Sequence, residues 1–234
     1  MKVPLILVNF KSYQEASAEK ALTLAKICED ISREHKVTII PIPQFFDLQK
    51  VKENVKIPVF GQHVDPIEKA GSFTGHVVAE NLKTIGIDGT LINHSERKLP
   101  LKDVGECVRI TRKFGLISVC CAATPNEGEK IARFSPDFIA IEPPELIGTG
   151  ISVSTAKPQV VTSGIEKIKK INAQIKVLCG AGITTWEDVK RALELGTVGV
   201  LVASGIVKAE NPKEVLEGFA KTINSFIRLR EDMF

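Results

Sequence analysis

Eight short runs rich in Val, Ile and Leu recur along the chain, and their spacing limits the fold more than any other feature. The runs lie at 3–10, 37–42, 57–62, 89–93, 116–121, 137–142, 175–179 and 198–203. Most are nearly continuous in apolar residues, which is typical of strands that are buried on both faces of a parallel sheet. No Pro-, Gly- or Ser-rich linker interrupts the alternation.

Amphipathic stretches between these runs predict helices. In 185–196 the apolar residues share one helical face: Trp186, Val189, Ala192 and Leu193. The last stretch shows the same pattern with Val215, Leu216, Phe219, Ala220, Ile223, Phe226 and Ile227. Thr184 or Thr185 can cap the first of these helices, and Asn211 followed by Pro212 can begin the second.

The alternation of strand and helix predicts βαβ units and therefore a protein of the α/β class. Eight such units favour a (β/α)8 TIM barrel, and we expect a single domain over residues 1–234. An open, doubly wound sheet is the alternative, but the Gly-rich turn typical of that fold does not follow the first run.

The balance of charge argues against nucleic acid as a partner. The chain has 31 basic and 28 acidic residues, and its net charge of +3 is scattered along the sequence. The first apolar run is far shorter than the roughly 18 residues of a membrane helix. It is followed by the polar "KSYQE" and not by a small-residue cleavage site, so we expect neither a signal peptide nor membrane association.

The five cysteines form no Cys-x-x-Cys pair and are odd in number: Cys28, Cys107, Cys120, Cys121 and Cys179. This pattern predicts reduced thiols in the core of a cytoplasmic protein, and neither a disulfide framework nor a zinc site. His63 and His76 have no spacing that supports a metal site.

Polar side chains interrupt several apolar runs at their carboxyl ends, where barrel enzymes place functional residues. The first run ends with Asn9 and Lys11, the fourth with the segment 93–97 ("NHSER"), and the sixth with Glu142. The seventh and eighth end in the small-residue turns "CGAG" and "VASG". Each residue alone could be a solvated charge, a core histidine or a helix cap, but their grouping at one rim favours a functional site.

Five motifs in order resemble the triosephosphate isomerase family. They are "NFK" at 9–11, "GSFTGH" at 71–76, "HSER" at 94–97, "EPPELIGTG" at 142–150 and "GAGI" at 180–183. The chain has "PEL" where many members carry a Trp before Ile-Gly-Thr-Gly, and this feature resembles the archaeal branch. It also departs from many members after the seventh run and at Ala203-Ser204, which bears on phosphate contacts by side chains but not by the backbone.

The resemblance implies interconversion of dihydroxyacetone phosphate and glyceraldehyde 3-phosphate, a step of glycolysis and gluconeogenesis that needs no cofactor or metal. Glu142 would be the base, made stronger by desolvation, and Lys11 a fixed positive charge for the substrate. His94 would be a neutral electrophile, a known feature of the family, and we expect the helical turn that it begins to disfavour the imidazolium. Asn9 would orient the substrate or Lys11, and Glu96 is either a partner of Lys11 or a surface carboxylate.

We expect the phosphate of this small substrate to lie near Gly182, Ala203 and Ser204, at the turns after the seventh and eighth strands. Ile147 or Gly148 would close over it from a mobile loop that follows Glu142.

Thr74, in "GSFTGH", is a candidate interface residue. In the family this loop reaches the neighbouring subunit, so we expect a homo-oligomer, with a tetramer of two dimers implied by the archaeal features.

Two alternatives remain at this stage. One is a synthase that uses the same phosphate-binding turns for a larger phosphorylated substrate. The other is an inactive barrel that serves as a scaffold, which would be expected to have lost Lys11, His94 or Glu142. None of these three residues is lost.

Overall fold

A computed structural model of the chain describes residues 1–231, and its centre is a barrel of eight parallel strands. The strands are β1 (Leu5–Asn9), β2 (Thr38–Ile42), β3 (Phe60–Gly61), β4 (Gly89–Ile92), β5 (Ile117–Ala122), β6 (Phe138–Ile141), β7 (Lys176–Cys179) and β8 (Gly199–Val202). β1 pairs with both β2 and β8, and the ladder then runs back through β7 to β3. The predicted (β/α)8 barrel is confirmed, and the open sheet is wrong because its first and last strands would not pair.

The helices connect successive strands on the outside of the barrel. They are α1 (Glu19–His35), α2 (Phe45–Asn54), α3 (Ala79–Thr84), α4 (Leu101–Lys113), α5 (Pro125–Ala132), α6 (Val153–Ala156), α7 (Pro158–Ile171), α8 (Trp186–Glu194), α9 (Ser204–Val207) and α10 (Pro212–Glu231). Short 3-10 turns occur at Gln14–Ala16, Ser95–Arg97 and Pro144–Leu146. The expected domain of 1–234 includes residues 232–234, which lie outside the described residues.

β3 is the shortest strand, and a side-chain hydrogen bond connects it to β2. The two strands contact each other, and Gln62, directly after β3, donates from Nε2 to the carbonyl oxygen of Ile42 at 3.3 Å. Gln62 also donates to the carbonyl oxygen of Lys11 at 2.9 Å. This amide therefore closes the barrel and supports the backbone of a predicted site residue at the same time.

Strand side chains alternate between two apolar layers. One layer fills the barrel with residues such as Leu5, Leu7 and Ala140, and the other packs the strands against the helices. Because successive side chains point to opposite faces, the residues at positions 9 and 142 continue the inward-pointing rows. The polar residues at these positions therefore lie at the mouth of the barrel.

The N-termini of α8 and α10 are capped by the predicted residues. Thr185 accepts a hydrogen bond from the N–H of Asp188, whose carboxylate accepts one back from Thr185, so the pair forms a capping box. Asn211 accepts from the N–H of Glu214 at 3.3 Å. Of the four apolar residues predicted to share one face of α8, three are buried and Trp186 is not. It is the first residue of the helix and is 50% exposed.

All five cysteines are free and buried, and burial raises the pKa of each thiol. Such thiols are poor nucleophiles, because the thiolate is the reactive form. Among residues 1–231 no helix is both long and apolar enough to cross a membrane.

Candidate active site

Residues far apart in the sequence line one cavity at the carboxyl ends of the strands. Nine of the predicted site residues are among them: Asn9, Lys11, His94, Glu142, Ile147, Gly148, Gly182, Ala203 and Ser204. Glu96 lies in an adjoining cavity that shares Lys11 and His94 with the first.

Glu142 directly follows β6 and is 3% exposed. Its backbone N–H donates to the carbonyl oxygen of Ala122 at 2.8 Å, which extends the pairing with β5 by one residue. Its Oε2 atom accepts no hydrogen bond from the residues that the structure describes. Burial raises the pKa of this carboxyl to about 7, although the nearby Lys11 charge opposes the shift. Glu142 is therefore a stronger base than an exposed glutamate, yet still ionised in a large fraction of molecules near neutral pH.

His94 faces Glu142 with a defined tautomer. Its Nδ1 accepts the backbone N–H of Glu96 at 3.2 Å, so the ring proton of the neutral form is on Nε2. Nε2 lies 3.9 Å from Oε1 of Glu142, which is too far for a hydrogen bond. Both groups are therefore available to a third molecule between them.

The imidazole of His94 is neutral for a different main reason than the sequence suggested. Burial is the largest cause, followed by the positive charge of Lys11, and together they lower its pKa to about 4. The expected helical turn is present, but it is only the 3-10 turn Ser95–Arg97. Desolvation, and not this turn, is therefore the main cause of the low pKa of His94.

Lys11 is held on two sides. Its Nζ lies 3.2 Å from Oε1 of Glu96, and this hydrogen bond lowers the pKa of the Glu96 carboxyl. Its backbone adopts φ of +48°, and its N–H donates to Oδ1 of Asn9 at 3.0 Å. Asn9 therefore supports the uncommon backbone conformation of Lys11, while Glu96 orients the ammonium group.

The loop of residues 143–150 covers the cavity beside Glu142. Pro144–Leu146 form a 3-10 turn, and Leu146 is buried below it. Glu145 forms an ion pair of 2.6 Å with Lys157, at the start of α7. Gly148 and Gly150 have φ of +74° and +76°, conformations that favour glycine at this end of the loop.

The turn after β7 packs tightly against the far end of this loop. A Cβ atom on Gly182 would lie 1.8 Å from the carbonyl oxygen of Ile151, and the φ of Gly182 is +70°. Glycine is therefore required here for backbone packing, besides any contact with phosphate. Ala203 and Ser204 border the same end of the cavity, at the start of α9.

Five residues that line the cavity were not among the predicted site residues: Tyr13, Gly180, Ile183, Leu201 and Val202. The ring of Tyr13 lies 4.4 Å from Nζ of Lys208, an arrangement that links the loop after β1 to the end of α9. A Cβ atom on Gly180 would lie 2.5 Å from Cγ of Glu142. Gly180 was visible in the sequence as part of "CGAG", but only the folded barrel brings it against Glu142.

Replacing Gly180 with Ala is expected to lower kcat by about 10- to 100-fold, because the added methyl group displaces the Glu142 carboxylate. Steady-state kinetics of the purified variant measure the effect. Gly218→Ala is the matched control, since a Cβ atom there meets nothing within 4 Å and Ala favours the helix. Equal kcat values for the two variants would contradict this steric role.

Thr74 lies outside the cavity, in an exposed loop. His63 and His76 both approach Asp65, at 3.1 and 3.4 Å, near the base of that loop. The described part of the chain has no group of three or more His, Cys, Asp or Glu side chains arranged to hold a metal ion.

The fold and the site together define a class: a (β/α)8-barrel protein whose carboxyl-terminal rim holds an acid–base pair beside a fixed lysine. The sequence profile of the triosephosphate isomerase family matches residues 4–226. The chain belongs to the triosephosphate isomerase family.

Individual relatives agree with this assignment. Triosephosphate isomerase of Methanothermus fervidus is 50% identical over 217 residues, which cover 93% of this chain and 97% of that protein. The Methanocaldococcus jannaschii protein of the same name is 49% identical over 219 residues, 94% of this chain and 100% of that protein. That of Methanosarcina barkeri is 47% identical over 223 residues, with coverage of 95% and 100%. The predicted resemblance to the archaeal branch is confirmed.

Proposed function

We propose that this protein interconverts dihydroxyacetone phosphate and glyceraldehyde 3-phosphate, a step of glycolysis and gluconeogenesis. The observation that carries the proposal is the placement of a buried carboxylate opposite the Nε2–H of a neutral imidazole, 3.9 Å away. Membership in the triosephosphate isomerase family supports the same reaction.

Proton transfer begins at Glu142. Its carboxylate removes a proton from the carbon next to the substrate carbonyl, and an enediolate results. His94 donates a hydrogen bond from Nε2 to the oxygen atoms on which negative charge develops. Because its pKa is low, the ring is a donor without being an imidazolium. The hydroxyl proton passes from one oxygen of the enediolate to the other, and return of the proton from Glu142 to the neighbouring carbon completes the isomerisation.

Lys11 supplies the fixed charge that this reaction requires. Its ammonium group is oriented by Glu96 and lies close enough to lower the pKa of His94. In a site that is largely closed to water, such a charge stabilises an enediolate more strongly than it would in solution.

The phosphate group of the substrate is proposed to bind at the end of the cavity formed by Gly182, Ala203 and Ser204. Backbone N–H groups there suit an anion without a further basic side chain. Ile147 and Gly148 in the loop 143–150 cover this end and exclude water from the enediolate.

A coupled assay of the purified protein with glyceraldehyde 3-phosphate tests the proposed function directly. We expect turnover in the presence of a chelator and without any added cofactor. Absence of turnover, with the fold intact by circular dichroism, would favour the synthase or the scaffold. A synthase would then be expected to bind a larger phosphorylated ligand in calorimetry, whereas a scaffold would bind neither.

The value of kcat/KM is expected to fall by about tenfold for each pH unit below about 7, because the free enzyme must have Glu142 ionised. Protonation of His94 would appear only near pH 4, too low to determine the acid limb. A pH series with the same coupled assay measures this limb. A kcat/KM that stays level from about pH 8 to 5 is incompatible with Glu142 as the base.

The oligomer is proposed to be a tetramer of two dimers, with Thr74 in contact with the Lys11 region of a second copy. Phe73, next to Thr74, is 51% exposed, and Phe46 is 95% exposed next to Phe45, which borders the same cavity as Lys11; such exposure supports burial by another chain. Sedimentation velocity distinguishes the tetramer from a dimer and from the single chain of 25.5 kDa.

A cytoplasmic location is also proposed. The five free, buried thiols support a reducing compartment. Cell fractionation followed by immunoblotting tests this location, and recovery of the protein outside the cytoplasmic fraction would refute it.

A further inference from the structure

Asn93 lies between the end of β4 and His94, and it is 1% exposed. We propose that Asn93 is a positioning residue that directs His94 into the site and holds the segment 94–98 in place. This inference rests on the proposed function and concerns a residue to which the mechanism above assigns no role.

The backbone of Asn93 interrupts the strand alternation, which would otherwise point His94 away from the cavity. Leu91 points into the barrel and Ile92 towards the helices, so continued alternation would point Asn93 inward and His94 outward. Instead, Asn93 adopts a left-handed φ of +63°, and His94 lines the cavity. Asparagine is one of the few residues with a side chain that tolerates this conformation.

The side chain of Asn93 closes the loop that carries the reactive groups. Its Oδ1 accepts the backbone N–H of Leu99 at 2.9 Å, so one side chain joins the two ends of the segment 94–98. That segment contains His94 and Glu96, and the N–H of Glu96 donates to Nδ1 of His94. The closure therefore sets the position of the imidazole and of the carboxylate that orients Lys11.

The other end of the amide ties this loop to the neighbouring strand and helix. Nδ2 of Asn93 donates to the carbonyl oxygen of Cys121 in β5 and to Oε1 of Glu127 in α5, each at 2.9 Å. Glu127 is itself fixed by the N–H of Ala123 at 2.7 Å and by an ion pair with Lys98. Both the oxygen and the nitrogen of the Asn93 amide are thus hydrogen-bonded to fixed partners. The position of the segment 94–98 therefore depends on β5 and α5.

Replacing Asn93 with Gly tests the proposal, because glycine keeps the left-handed backbone and removes only the amide. We expect kcat to fall by about 10- to 100-fold while KM changes little, since the phosphate-binding end is untouched. Nitrogen-15 NMR of the His94 ring is expected to change from a single tautomer with the proton on Nε2 to a mixture. Lys36→Gly is the matched control, because Lys36 has φ of +56° and precedes β2 at the opposite rim.

Wild-type kcat together with an unchanged His94 spectrum in Asn93→Gly would overturn the proposal. If that variant does not fold, Asn93→Asp decides, because it keeps the acceptor for Leu99 but loses both donations from Nδ2. A kcat equal to that of the wild type in Asn93→Asp would likewise overturn it. Should the wild-type protein show no isomerase activity, the proposed function fails, whereas the His94 spectra still test the positioning role.

Discussion

Glu142→Gln is expected to lower kcat by about 10²- to 10⁴-fold, the range associated with loss of a general base. Gln has nearly the same shape, so it fills the same buried position after β6, but its amide cannot accept the proton from carbon. Lys11, His94 and the glycine turns remain, and inorganic phosphate should therefore bind as it does to the wild type. Coupled-assay kinetics and calorimetry with phosphate measure the two effects separately.

The pH dependence of stability shows whether Glu142→Gln loses activity through a defect in folding or through loss of the base. The pKa of Glu142 rises from 4.5 to about 7 on folding, so the folded state binds this proton more tightly than the unfolded state. The wild type therefore loses stability as the pH rises through that interval, whereas Glu142→Gln does not. Above pH 7 the variant should unfold at the same temperature as the wild type or higher.

The matched control for this variant is Glu166→Gln, which makes the same substitution on the exposed face of α7. Its kcat should equal that of the wild type. Near-normal kcat in Glu142→Gln would remove Glu142 from the role of base, whatever the stability data show.

Lys11→Met is expected to lower kcat/KM by about 10²- to 10³-fold, comparable with loss of one group that stabilises a transition-state charge. The substitution keeps most of the length of the side chain and removes the ammonium group. It also leaves Glu96 without its partner at 3.2 Å, so that a negative charge remains beside the site. Both changes oppose the build-up of charge on an enediolate.

A second signature separates this electrostatic role from simple loss of packing. Lys11 is the second cause of the low pKa of His94, and its removal should raise that pKa. NMR titration of the His94 ring measures the change. Lys167→Met, on the exposed surface of α7, is the control for removal of a surface lysine. Retention of wild-type kcat/KM in Lys11→Met would exclude the fixed charge from the mechanism.

Much of the fold could be predicted because its signal is local. All eight strands lie within the predicted apolar runs except at one boundary, where β5 extends by one residue to Ala122. β3 occupies only two residues of the predicted 57–62, and the side chain of Gln62 connects its end to β2. Trp186 fits the apolar period of α8 but is exposed, because periodicity reports which face of a helix is apolar, not whether a residue in its first turn is covered.

The amino-acid sequence alone shows which polar side chains stand at the carboxyl ends of the strands. That information is contained in the order of apolar and polar residues along each strand, since alternation and strand length place Asn9 and Glu142 at the barrel mouth.

The pKa values and the positions of those side chains arise only in the folded barrel. The pKa of Glu142 depends on burial by other segments, and its position depends on the space left by Gly180. His94 is directed into the cavity by the left-handed backbone of Asn93, whose amide is bonded to β5 and α5. Such effects arise between residues that are distant along the chain, and a local pattern of residue types does not specify the distances between them.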